Sequence, residues 1–180
     1  MSFRAPTSYQ GPTRKTKKDK PQRTVSQSAH TNVASGKVAT VAKILEQKGN
    51  SVITIRPSDT LKDAVVLLSE KRIGALVVTD EGNKLVGILS ERDIVRKLAA
   101  TPGQTLPQSV EENMTKKVMP CAPGDSLVSV LHTMTKGRFR HMPVLENGEL
   151  VGIVTIGDVV HFRLDELEYE ALQLKQMVVG

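Results

Sequence analysis

The sequence predicts an α/β (α+β) fold built from two β-α-β-β-α repeats, with one helix ahead of them and a long helix closing the chain. Two observations carry this. The segment from Val52 recurs from Val118, and within each copy short β-rich runs alternate with apolar residues at helical spacing. A third concerns the core: hydrophobic residues make up 39% of the chain and aromatic ones 3%, with no Trp. The interior must therefore be built from Val, Ile, Leu, Ala and Met, and no row of aromatic platforms is available for stacking single-stranded bases.

Residues 1–36 are rich in Ser, Thr, Pro, Gly and Lys without a sustained apolar period, and they read as a disordered basic tail. Arg4, Arg14, Lys15, Lys17, Lys18, Lys20 and Arg23 face only Asp19 there, which accounts for the whole net charge of +6 and leaves the 144 residues that follow neutral. The folded part thus has no overall charge excess for a phosphate backbone. Three readings of the tail stay open: an inert solvated arm, a nucleic-acid-binding arm, and an organelle (mitochondrial) transit peptide, although an amphipathic apolar face is lacking. Without such targeting the expected location is the cytoplasm. No apolar run is long enough to span a bilayer, so no membrane association is expected. The single cysteine, Cys121, excludes an intramolecular disulfide and a multi-cysteine metal site, and in its apolar strand it is expected to be core.

Val38, Val41, Ala42 and Leu45 at helical spacing predict a helix within residues 37–51, stopped at Gly49-Asn50. The first repeat with its linker is assigned to residues 52–112, and the second with its extended helix to residues 113–180. The offset between them is 66 residues, dropping to 65 after a deletion in the hairpin turn. Pro57/Pro123, Asp59/Asp125, Leu61/Leu127, Arg72/Arg138 and Val78/Val144 match, and Leu85-Val86-Gly87-Ile88 matches Leu150-Val151-Gly152-Ile153.

Each unit opens on a strand (Val52 to Ile55; Val118 to Cys121) stopped by Pro. A helix follows, with Leu61, Ala64, Val65 and Leu68 on one face and Leu127, Val130, Leu131 and Met134 on its counterpart. Two strands joined by DEGN or ENGE come next, with Gly supplying the freedom of the turn, and further helices start at Glu91 and Ile156. The last helix carries a stripe of Val160, Leu164, Leu167, Ala171, Leu174 and Val178, whose heptad-like spacing calls for a cover. The Val38–Leu45 helix is one candidate, and a second copy of the chain in a homodimer is the other.

The duplicated junctions GILSERD (Gly87 to Asp93) and GIVTIGD (Gly152 to Asp158) are the most informative segments. Each sets a hydroxyl at the start of a helix and a carboxylate three residues later. Taken singly, Ser90/Asp93 and Thr155/Asp158 make good capping boxes that satisfy orphan backbone donors. A duplicated β-α-β-β-α unit ending in this pattern resembles the cystathionine-β-synthase (CBS) domain, and two in tandem resemble a Bateman module. GILSERDIVR, RFRHMPV and GIVTIGDVV are similar to the motifs of small stand-alone members, and the resemblance covers Val38 to Arg163.

The resemblance implies repeats related by a pseudo-twofold axis, with two clefts that hold an adenosyl ligand. AMP is the first choice, with ADP, ATP, NAD(H) or S-adenosylmethionine as alternatives. An Asp at a helix N-terminus can accept ribose hydroxyls, and the exposed amides there favour a phosphate. In the family's arrangement the Thr155/Asp158 cleft also draws on Thr54, Gly74, Ala75, Leu76, Arg140, His141 and Ile153, and every expected part is present. The Ser90/Asp93 cleft departs from the pattern. Pro120 stands in place of Thr54, Gly74 and Ala75 in place of Arg140 and His141, and Met142 in place of Leu76, while Arg92, with Lys37 or Arg138, supplies positive charge. Weaker binding is expected there.

Arg138 reads equally as a solvated cation at a helix C-terminus, and the run DELEYE as a solvated helix face. His30, His132 and His161 have no spacing that brings a second nitrogen to His141, so no metal is expected. No nucleophile elbow, P-loop or GxGxxG occurs, and no catalytic residue is assigned. The function implied is a non-catalytic regulatory module, an energy sensor in the adenine-nucleotide case. It signals to a regulated protein by a change of conformation or association. The competing function is nucleic-acid binding through the basic arm under nucleotide control.

Overall fold

The computed structural model describes residues 39–179, all within the unit Lys37–Gly180; the tail, Lys37 and Val38 lie outside the described residues, as does the side chain of Val178. The elements follow the expected order except that a short helix is added between the repeats and the first strand of repeat 2 is missing. The order runs α1 (Val41–Lys48), β1 (Thr54–Ile55), α2 (Leu61–Lys71), β2 (Ala75–Thr79), β3 (Leu85–Ser90) and α3 (Glu91–Ala100). Then come α4 (Val110–Asn113), α5 (Leu127–Gly137), β4 (His141–Glu146), β5 (Glu149–Thr155) and α6 (Ile156–Val179). In repeat 1, β1 pairs parallel with β2, and β2 antiparallel with β3; in repeat 2, β4 pairs antiparallel with β5.

Two local expectations differ from the structure. The strand expected over Val118 to Cys121 is reduced to one parallel bridge between Cys121 and Val144, held by Cys121 N donating to Pro143 O (3.0 Å) and Leu145 N to Cys121 O (2.8 Å). Pro143 has no N–H to give to Met119 O, the counterpart of the Val77 N to Ile53 O bond in repeat 1, so the ladder does not extend. In the DEGN turn it is Asn83 (φ 59°), not Gly82, that takes the left-handed conformation, whereas in ENGE both Asn147 and Gly148 do. Asn tolerates that region because its short polar side chain bonds locally.

The repeats are tied by an exchange of helices. Val41 N donates to Asp125 O and Ala42 N to Pro123 O, so the start of α1 is seated on the turn before α5 in repeat 2. Val110 N donates to Asp59 O and Glu111 N to Pro57 O, which seats α4 on the same turn in repeat 1. Leu127 N to Ala39 O (3.0 Å) and Leu61 N to Gln108 O (2.9 Å) complete the correspondence. Thr40/Ser109, Val41/Val110 and Leu45/Met114 therefore play equal parts. Asp59 and Asp125 hold the sockets in shape, each accepting the amide three residues earlier at 2.9 Å. The matched Pro, Asp and Leu positions of the two repeats are the residues of these sockets.

Each repeat has its own core. Val41, Ile44 and Leu45 of α1 join Leu127, Met134, Met142, Val144, Val154, Val159 and Phe162 in one. Val110 of α4 joins Leu61, Ala64, Leu76, Val78, Leu89 and Ile94 in the other. Gly152 lets α1 approach β5: a Cβ there would meet Leu45 Cδ2 at 2.7 Å. Because α1 packs against the Val159 and Phe162 face, it leaves the α6 stripe bare, and Val160, Leu164, Leu167 and Leu174 are exposed. Cys121 is buried as expected, and burial pushes its thiol up to about 12, so it stays protonated and unreactive.

Adjacent positions on α5 make a stringent check of this core, since Leu127 is 1% exposed and Val128 63%. Leu127→Ala is expected to lower unfolding stability by about 2–5 kcal/mol. Val128→Ala should stay within about 0.5 kcal/mol of the parent. Urea unfolding followed by far-UV circular dichroism distinguishes the two.

Candidate functional site

Both duplicated junctions fold as reciprocal caps. Ser90 is the N-cap of α3, and its hydroxyl accepts from Asp93 N while Asp93 Oδ2 accepts from Ser90 N (3.0 Å) and Ser90 Oγ (2.5 Å). At α6, Thr155 Oγ1 accepts from Asp158 N (3.0 Å) and Asp158 Oδ2 accepts from Thr155 N (2.8 Å). Capping engages one oxygen of each carboxylate and leaves Oδ1 without a partner among the described residues. A second role for each Asp is therefore compatible with the first.

The two helix N-termini open on one cavity of about 1130 Å³ between the repeats. Ser90, Glu91, Arg92, Asp93 and Arg96 line it from α3, and Thr155, Ile156 and Gly157 from α6. The segment from Lys136 to His141, the stretch from Lys117 to Met119, and His132 and Thr133 of α5 form most of the remaining wall, with Gly74 at one edge. Arg92 Nη1 donates to Arg138 O (3.2 Å), one strut between the repeats. Gly74 O accepts from Glu91 N, and a Cβ on Gly74 would sit 3.4 Å from the His141 ring, so the residue keeps this edge narrow.

Of the residues expected at the fully furnished cleft, Gly74, Arg140, His141 and Thr155 line this cavity. Ala75 and Leu76 are buried in the repeat 1 strands, and Ile153 is half-buried in β5 without lining it. Thr54 lines a separate shallow recess of about 300 Å³ beside α2, with Asp59, Asp63 and Glu70. Asp158 is engaged by Lys48 from the end of α1, at 2.6 Å. Of the cleft expected to be weaker, Ser90, Arg92 and Asp93 line the cavity, Met142 is buried, and Pro120 is exposed outside it. One open volume thus takes in residues expected at both clefts, with Asp93 on its lining and Asp158 paired with Lys48 outside it.

Sequence reasoning missed Arg96, Lys117, His132 and Lys136 as lining residues. A signal existed for three of them: Arg92/Arg96 and His132/Lys136 stand four apart, on one face of α3 and of α5 respectively. Burial, then Arg140 and Lys48, hold the His141 imidazole below its ordinary range, against the opposing pull of Asp158 and Glu91. The ring is neutral at pH 7, with one N–H to donate and one nitrogen to accept. Among the described residues no three His, Cys, Asp or Glu side chains gather as metal ligands, and no helix is long and apolar enough to cross a membrane.

The arrangement is that of two repeats facing a common cleft, and comparison with known proteins identifies the repeat. Residues 38–100 and 109–165 match the CBS domain, and the chain belongs to that family, whose modules regulate rather than catalyse. The CBS domain-containing protein CBSX3, mitochondrial, of Arabidopsis thaliana is 31% identical over 149 residues, 78% of this chain and 72% of the relative. A CBS-domain protein of Agrobacterium tumefaciens has a crystal structure that is 42% identical, with a TM-score of 0.68, over 69% of this chain and 99% of its own. The CBS domain pair of protein MJ0100, solved with 5'-methylthioadenosine and S-adenosyl-L-methionine, is 27% identical with a TM-score of 0.64, over 72% and 99%. CBSX2, solved with AMP, is 28% identical with a TM-score of 0.58, over 71% and 97%.

Two measurements probe the site without a ligand. The Lys48–Asp158 side chains are 31% and 24% exposed, so solvent screens the pair, and Lys48→Met should cost no more than about 1 kcal/mol in urea unfolding. For His141 the unfolded state takes up a proton first as pH falls. Stability present above the ordinary imidazole value of about 6.5 is therefore lost below it. His141→Gln should show a smaller drop in urea midpoint between pH 7 and pH 5 than the parent.

Proposed function

We propose that this CBS-domain pair is a regulatory module that takes an adenosyl ligand in the cleft between its repeats. The observation that carries the reading is the convergence of two capped helix N-termini on one cavity large enough for such a compound, with the Asp93 carboxylate on its lining and one oxygen of it uncommitted. The complexes of MJ0100 and CBSX2 with adenosyl compounds support the same ligand class.

In this proposal the ligand sits first on the Ser90/Asp93 side. Asp93 Oδ1 accepts from the ribose, Ser90 and the α3 amides face sugar or phosphate, and Thr155, Arg138, Arg140 and His141 close the opposite wall. The position at Thr155/Asp158 is the second; it requires Lys48 to leave Asp158, and Thr54, Ala75, Leu76 and Ile153 join it only if the repeats repack. Binding across both repeats favours whichever packing of the repeats gives the better fit, and that difference is the signal to a regulated protein. Self-association through the bare Val160/Leu164/Leu167/Leu174 face of α6 offers a second output, a homodimer of two chains.

Isothermal titration calorimetry with AMP, ADP, ATP, NADH and S-adenosylmethionine tests the ligand class. At least one should bind, and Asp93→Ala should weaken it by roughly tenfold or more, the loss of a charge-assisted hydrogen bond of about 1.5–3 kcal/mol. No binding by any of the five ends the adenosyl reading. Sedimentation equilibrium tests the α6 face: Leu167→Glu should convert a dimer to a monomer, and a parent chain that is already monomeric refutes self-association.

A further inference from the structure

Residues 37–180 are neutral overall, yet the cavity between the repeats is not. Its lining holds six cations, Arg92, Arg96, Lys117, Lys136, Arg138 and Arg140, against two carboxylates, Glu91 and Asp93, a formal charge of +4. The rest of the unit is correspondingly acidic. None of the six forms an ion pair with a carboxylate among the described residues, and only Arg92 has a side-chain hydrogen bond, to the Arg138 carbonyl. Asp93 is already drawn into its cap by Ser90. The N-termini of α3 (10 residues) and α6 (24 residues) add their positive ends to the same space.

Unpaired cations gathered in a concave site repel one another and focus the field into it, an arrangement that becomes favourable when an anion of matching charge is bound. A single phosphate monoester brings about −1.5 to −2 charges at pH 7. That leaves half of the cleft's charge unanswered. A sulfonium ligand would add positive charge to a positive site.

We propose that the cation cluster is a polyphosphate subsite, so that the cleft selects a ligand with a di- or triphosphate chain over a monophosphate or a sulfonium compound. The inference rests on the adenosyl reading for the base and ribose, and makes the ligand an adenine nucleoside di- or triphosphate. Asp93 and the α3 N-terminus hold the ribose end. Arg96, Lys136 and Arg138 reach the chain of phosphates from α3 and α5.

The test is calorimetry on the full chain with AMP, ADP, ATP, S-adenosylmethionine and inorganic tripolyphosphate at low and high salt. ATP is expected to bind at least roughly tenfold more tightly than AMP or S-adenosylmethionine, a difference of about 1.4 kcal/mol. Its affinity should also fall more steeply with salt. In the Arg96→Ala/Lys136→Ala double variant, at two exposed positions, ATP should weaken by roughly tenfold and AMP by less than about twofold. Tripolyphosphate should compete with ATP in the parent and lose affinity in the same variant, which separates the cleft from the basic residues of the tail. AMP binding as tightly as ATP, or ATP unaffected by the double variant, overturns the polyphosphate subsite and leaves the adenosyl reading standing. Variant-sensitive tripolyphosphate binding with no nucleotide bound supports the subsite and overturns the adenosyl reading. Absence of all five overturns both.

Discussion

The reciprocal seating of α1 on repeat 2 and of α4 on repeat 1 is the constraint on which the rest of the structure depends. Each repeat by itself ends its first strand in a turn whose carbonyls, Pro57 and Asp59 or Pro123 and Asp125, point outward without a partner of their own. The helix that precedes the other repeat supplies the missing donors, together with an apolar residue for the core, Val110 or Val41. Neither core is complete within one contiguous β-α-β-β-α segment. The two are therefore formed together, and the space left between them is fixed by the same exchange that closes them.

In the proposed binding mode, local stability and ligand binding draw on the same residues of that space. Ser90 and Asp93 start α3, and Thr155 and Asp158 start α6. A hydroxyl that accepts the third amide and a carboxylate that reaches back leave one carboxylate oxygen of each cap uncommitted, and at α3 the carboxylate lines the cavity. A cap thus prepares the site instead of competing with it. Opposite the caps, the left-handed turn at Arg138 (φ 56°) ends α5 and directs its carbonyl to Arg92. The wall that carries Arg140 and His141 is thereby joined to the helix that carries Asp93.

Much of this was legible in the sequence, and for identifiable reasons. The duplication showed the repeat, and helical periodicity marked Leu61 and Leu127 as core. The hydroxyl-x-x-Asp pattern marked both helix starts. What stayed hidden depends on long-range placement. That α4 exists, and that Thr40-Val41 corresponds to Ser109-Val110, could have been read from a second offset of 69 residues, but the pairing of each helix with the opposite repeat could not. The site was read by matching side chains between repeats, which ranked Thr155/Asp158 above Ser90/Asp93. It could not foresee Lys48 crossing to Asp158, because residues 110 positions apart carry no local signal of contact.

The different lengths of the exchanged helices have a consequence for the two carboxylates. Lys48 and Lys117 occupy equivalent places, each seven residues beyond the start of its helix at Val41 or Val110. The eight residues of α1 carry its lysine around two full turns and onto Asp158, whereas α4 unwinds after four, at Asn113. Lys117 then lies in a bend on the cavity wall and forms no ion pair with Asp93. A single turn of helix decides which aspartate is locked and which is left to a guest.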